Sequence, residues 1–138
     1  MVKYVCGLIY HRGKVLLLYK TKGPERLVGF WNGVGGKVEK NETLHEAIVR
    51  ETFEETGIVT NENDWFLFAE VKKSDYQCTF FAIELDNNRK IELKPESEPL
   101  WFFERDNLPP RTMFNIRWFL MMLKDEDAKN TKILLEPS

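Results

Sequence analysis

Apolar positions follow two periods along this chain. Val2 to Tyr10 is an almost continuous apolar, β-prone run, and Lys14 to Lys20 is a second one after a His11-Arg12-Gly13 turn, so the spacing predicts a hairpin. Thr21 to Gly29 carries Gly23, Pro24 and Gly29 and reads as a loop, followed by an extended glycine-rich segment from Phe30 to Val38. The period then changes. Leu44 to Thr56 fits a helix, with Thr43 and Glu46 placed as a capping box and Gly57 as the stop. Trp65 to Val71 and Gln77 to Leu85 return to strand patterning around a polar turn at Lys72 to Asp75. Asn87 to Pro99 is polar and reads as a loop, and Leu100 to Phe103 as a short aromatic strand. Leu108-Pro109-Pro110 breaks the chain before an apolar helix from about Met113 to Lys124, and Lys132 to Glu136 reads as either a terminal strand or a mobile end.

A mixed sheet flanked by two helices is an α/β/α sandwich. With 138 residues, 43% of them hydrophobic, and neither repeat nor linker, residues 1–138 are expected to form one domain whose core needs no disulfide staple. Cys6 and Cys78 lie in apolar runs and read as buried thiols of a cytoplasmic protein. No apolar run approaches the roughly 18 residues of a membrane span. The net charge of −2 argues against binding nucleic acid polymers but allows small phosphorylated ligands bridged by a metal.

The chemistry is concentrated between Gly36 and Gly57. Gly36, Glu42, Arg50, Glu51, Glu54, Glu55 and Gly57 fall at the spacing G-x5-E-x7-R-E-x2-E-E-x-G. On a helix, Glu51, Glu54 and Glu55 occupy an arc of roughly 100°, with Val49 and Phe53 expected on the opposite, buried side. All three glutamates sit in the last turns, where the helix dipole disfavours carboxylates. Two carboxylates 5 Å apart repel by roughly 3 kcal/mol at an effective dielectric of 20. A divalent cation removes that conflict, and an all-oxygen donor set suits Mg²⁺ first and Mn²⁺ second. Arg50, four residues from both Glu46 and Glu54, is expected to hold glutamates in place. The competing reading is a solvated acidic helix face, which the preceding GVGGKVEKNE segment makes the poorer one.

This spacing resembles the Nudix box, the signature of hydrolases of nucleoside diphosphates linked to a further group; Thr52 departs from it where a bulky aliphatic is usual. The resemblance extends through Lys20, the GFWNGVGGKV segment, Glu96, PLWFF and the Leu108 to Leu123 region, as in the MutT-like branch acting on oxidised purine nucleoside triphosphates such as 8-oxo-dGTP. It implies a Nudix α/β/α sandwich and Mg²⁺-dependent cleavage of a triphosphate to a monophosphate and pyrophosphate. It further implies metal ligation by the Gly36 carbonyl and by Glu51, Glu54, Glu55 and Glu96, with Glu98 as the nearest competitor of Glu96, and proton transfer by Glu51 or a neighbour. Lys20 is expected as a phosphate clamp, Gly35 and Lys37 among the substrate-binding residues, Asn32 and Asn115 at the base edge, and Phe114 or Trp118 stacked on it. The paired aspartates of one oxidised-purine enzyme are missing, with Asn115, Ile116 and Arg117 in that neighbourhood. Tyr76 keeps dinucleoside polyphosphate hydrolysis open as an alternative, and a non-catalytic nucleotide-sensing module is the third reading.

Overall fold

A computed structural model of the chain describes residues 1–95 and 98–124 and the backbone of 133–135. Strands β1 (Val2–His11), β2 (Lys14–Tyr19), β3 (Trp31–Asn32), β4 (Val34–Lys37), β5 (Phe66–Lys72), β6 (Tyr76–Glu84), β7 (Leu100–Glu104) and β8 (Ile133–Leu135) make one mixed sheet, with helices α1 (Leu44–Thr56) and α2 (Phe114–Met122). The long β1 runs parallel to β6, which is antiparallel to β5, and β8 adds to β5 in parallel. The terminal segment is therefore a strand, the first of the two readings its sequence allows.

β1 and β2 pair from Ile9↔Leu16 to His11↔Lys14 and then part. The chain from Trp31 to Lys37 enters the gap, β3 pairing with β2 and β4 with β1. This change of partner splits the expected continuous Phe30 to Val38 segment into two strands. On the far edge of β2 lies β7. The expected start of β5 at Trp65 moves to Phe66 because a 3-10 turn, Glu62–Asp64, precedes it.

Alternation along the strands separates two cores. Val5, Ile9, Leu16, Leu18, Phe81 and Ile83 pack under α1 with Ala47 and Ile48. Cys6, Leu8, Val15, Leu17, Phe68 and Phe80 pack under α2 with Ile116, Phe119 and Leu120. Each face of the sheet is thus covered by one helix, the α/β/α arrangement expected.

α1 begins as predicted, Thr43 Oγ1 accepting from the Glu46 N–H at 3.0 Å while Glu46 Oε1 accepts from the Thr43 N–H at 2.8 Å. It ends at Gly57, whose φ of 81° is the left-handed cap conformation that glycine adopts without penalty. Val49 packs partly buried against the core as expected, but the fully buried residues are Ala47, Ile48, Thr52 and Thr56, and Phe53 is 55% exposed. The reason lies in β4. Gly35 and Gly36 present bare backbone, so α1 approaches with Glu51 and Glu55 turned inward and Phe53 left outside.

Candidate active site

Two positions on β4 have no room for a side chain, one filled by Glu51 and the other by the β1 backbone. A Cβ on Gly36 would lie 2.5 Å from Glu51 Oε1, and one on Gly35 would run into the Val5 carbonyl. The Gly35 N–H donates to Glu55 Oε1 at 2.7 Å. Glycine at both positions lets a strand backbone face two glutamates directly.

Arg50 organises the rest of the acidic cluster. Its Nε and Nη2 make a forked pair with Glu42 at 2.6 and 3.0 Å, while Nη1 reaches Glu51 Oε1 at 2.9 Å and Glu54 Oε2 at 3.1 Å. Nη2 also donates to the Lys37 carbonyl at 3.1 Å, tying α1 to the end of β4. The expected pairing with Glu46 does not form, because that carboxylate is committed to the capping box. Glu42 takes its place, and the Arg50 hydrogen bond holds its carboxyl below the ordinary range.

Charge density and burial act on the carboxylates together. Burial pushes Glu55 up to about 7, with Glu51 adding to the rise against the downward pull of the Gly35 N–H and Lys20. Burial likewise raises Glu51, against the pull of Arg50. Two half-buried carboxylates with raised proton affinity suit a cation in place of the proton. The hydrogen bonds engage one oxygen of each: Oε1 of Glu51, Oε2 of Glu54 and Oε1 of Glu55. Among the described residues no three such side chains converge as a ready-made metal cage. The oxygen-only donor set and the side-chain-free cradle at Gly36 nonetheless fit a hard divalent ion, provided that the glutamates turn their second oxygens toward it.

Beside this cluster a cavity of about 290 Å³ opens on the α2 side of the sheet, with Glu55, Gly35, Gly36, Asn32 and Asn115 in its wall. Asn32 Oδ1 accepts from the Gly33 N–H at 2.8 Å and from the Cys6 thiol at 3.7 Å, which leaves its amide NH₂ for a ligand. Asn115 Oδ1 is buried with no hydrogen-bond partner among the described residues. The wall thus holds the free NH₂ of Asn32 and, within it, the unpaired Oδ1 of Asn115. Trp31 brings them together: its N–H donates to the Arg111 carbonyl and its carbonyl accepts from the Met113 N–H, both at 2.9 Å, stitching the start of α2 beside β3.

The other expected residues are distributed as follows. Lys20 lines the cavity, and its charge reaches Glu55. Tyr76 also lines it, with the Arg26 guanidinium 5.7 Å from its ring centroid. Lys37 is exposed and enters the site through its carbonyl. Phe114 is 84% exposed and Trp118 42%, and neither is in the cavity wall; Met113 is. Glu96 lies outside the described residues. Its neighbour Glu98 is buried and committed to the loop after β2, and although burial raises its carboxyl, the Thr21 N–H and Lys20 outweigh that and hold it low. Cys6 and Cys78 are free thiols in the cavity wall, and burial pushes Cys78 up to about 12, so it stays protonated. Arg26 was not singled out in the sequence; a lone loop arginine carries no signal of the cavity it borders.

Residues 3–121 match the NUDIX domain model, and the chain belongs to the Nudix family of hydrolases. Over 125 residues it is 34% identical to an oxidized purine nucleoside triphosphate hydrolase of Danio rerio, covering 85% of this chain and 76% of that one. Over 58 residues it is 40% identical to a CTP pyrophosphohydrolase of Escherichia coli, covering 42% of each. The fold superposes on a MutT protein from Bacillus halodurans with a TM-score of 0.73 at 20% identity, over all of this chain and 91% of that one. No helix among the described residues is long and apolar enough to cross a membrane.

Proposed function

We propose that this hydrolase converts a nucleoside triphosphate, an oxidised purine nucleotide such as 8-oxo-dGTP or another (d)NTP, to the monophosphate and pyrophosphate in the presence of Mg²⁺. The observation that carries this reading is one cavity lined both by the amides of Asn32 and Asn115 and by Glu55 of the carboxylate cluster. A base fits the first and a polyphosphate chain the second. The oxidised-purine activity named for the Danio rerio relative supports the same substrate class.

Glu51, Glu54, Glu55 and the Gly36 carbonyl would hold Mg²⁺, with Mn²⁺ as a substitute. Bound there, the cation supplies charge neutralisation to the phosphates and acidity to a water. Arg50 keeps Glu51 and Glu54 facing the site. Lys20 neutralises a phosphate oxygen. Glu51 or a neighbouring carboxylate of the cluster is suited to accept the proton of the attacking water. Asn32 donates to an acceptor on the base and Asn115 accepts from a base N–H, which favours rings presenting both.

Tyr76 in the same wall gives dinucleoside polyphosphates a specific second claim. Pyrophosphate and phosphate release should be measured across dNTPs, NTPs, 8-oxo-dGTP and diadenosine polyphosphates with Mg²⁺. Pyrophosphate from one triphosphate well above the others is expected, with Asn32→Ala and Asn115→Ala each lowering its kcat/KM by about 10- to 100-fold. Turnover of dinucleotides alone would transfer the assignment to the second class.

A further inference from the structure

Residues 20–30 leave the sheet between β2 and β3, and Lys20, Pro24, Arg26 and Leu27 of this loop line the cavity. One carboxylate fastens its start. Glu98, two residues before β7, is 7% exposed. Its Oε2 accepts from the Thr21 N–H at 2.5 Å, the Thr21 hydroxyl at 3.2 Å and the Lys22 N–H at 3.4 Å, and its Oε1 faces Lys20 Nζ at 3.4 Å. A carboxylate is costly to bury unless its oxygens are satisfied, and here three consecutive residues of one loop satisfy them. The neck of the loop is closed separately by the Lys20 N–H to Phe30 carbonyl and Gly29 N–H to Lys20 carbonyl hydrogen bonds at 3.0 and 2.8 Å.

We propose that Glu98 is a positioning residue for the substrate: it straps the Lys20–Lys22 turn to the sheet and aims the Lys20 ammonium at the phosphates. Its two oxygens divide the task. Oε2 holds backbone and so fixes the turn whether or not a ligand is bound. Oε1 makes a long contact to Lys20, one that a phosphate oxygen can replace without releasing the turn. This inference rests on the triphosphate reading for the identity of the phosphates, but the strap itself does not.

Two measurements test it. Steady-state kinetics on the best triphosphate with saturating Mg²⁺ should show Glu98→Ala raising KM about tenfold with kcat within about twofold. Glu98→Gln, whose amide oxygen still accepts the Thr21 N–H, should recover most of that loss. In a Lys20→Ala background Glu98→Ala should change KM by less than about twofold, because no ammonium remains to be aimed. Equal and additive KM effects in both backgrounds would overturn the proposal, as would a fall in kcat with a higher Mg²⁺ requirement, which would make Glu98 a metal ligand. Amide hydrogen exchange of the ligand-free protein reads the strap independently of turnover. Thr21 and Lys22 should exchange faster in Glu98→Ala and near the wild-type rate in Glu98→Gln. Unchanged exchange in Glu98→Ala removes the strap, whereas a wild-type protein that cleaves no triphosphate removes the substrate assignment.

Discussion

In the metal-free protein Glu55 carries a proton far above the ordinary carboxylate range, so replacing it with glutamine should stabilise that form at alkaline pH. The folded carboxyl titrates at about 7 against an ordinary value of 4.5. Between those values the native state binds more protons than the unfolded chain, so stability is fully present below 4.5 and lost as pH rises through 7. At about 1.4 kcal/mol per unit, the loss amounts to at most about 3.5 kcal/mol, an upper figure because Glu55 borders an open cavity. Such a loss is a large fraction of the stability of an ordinary domain. Glu55→Gln keeps an acceptor for the Gly35 N–H and cannot ionise. Urea denaturation in EDTA at pH 5, 6, 7 and 8 should show the variant and the parent close at pH 5 and the variant ahead by about 2–3 kcal/mol at pH 8. Glu51, whose carboxyl is also raised, is present in both proteins, so the difference reads Glu55 together with its repulsion by Glu51. Millimolar Mg²⁺ should reverse the order by stabilising the parent, more strongly at higher pH, and the variant much less. A difference that stays flat across this pH range would refute the argument.

Two further substitutions probe the scaffold around the carboxylates. Arg50→Ala removes the fork to Glu42 and the contacts to Glu51 and Glu54; it should lower kcat by about 10- to 100-fold and stability by about 2 kcal/mol, and Arg50→Lys should restore little because one ammonium cannot replace the fork. Thr52 Oγ1 is buried without a hydrogen-bond partner among the described residues, so Thr52→Val should stabilise the fold by about 1 kcal/mol in thermal or urea denaturation and leave turnover unchanged.

The acidic cluster could be read in the sequence because its glutamates and its helix caps lie on one continuous stretch, where spacing converts directly to geometry. The capping box and the Gly57 stop follow from local hydrogen bonding and φ preference alone. What escaped the sequence depends on partners far along the chain. Helical angles place Phe53 opposite the glutamates, but only the bare backbone of Gly35 and Gly36, seated against β1, shows which side of α1 approaches the sheet. Arg50 has candidate partners at helical spacing, yet Glu42, in the turn before the helix, takes the fork since Glu46 is already used. Asn32 and Asn115 become neighbours through the Trp31, Arg111 and Met113 backbone contacts, a pairing that no periodicity encodes. Glu98 looks like any loop acid until its burial and its three loop partners are seen.

The separation between Gly36–Gly57 and the walls of the cavity has an evolutionary and engineering consequence. On the proposed function, the cleavage apparatus would be a cassette of one uninterrupted segment, and selectivity would be distributed over the cavity residues of the loop after β2, the strand β6 and the start of α2. The two parts share little beyond the backbone of Gly35 and Gly36 and the Glu55 carboxylate. Exchanging the loop and the α2 start between relatives should therefore retarget the enzyme without rebuilding its reactive end, which gives a physical route by which one reaction can diversify across many nucleotide derivatives.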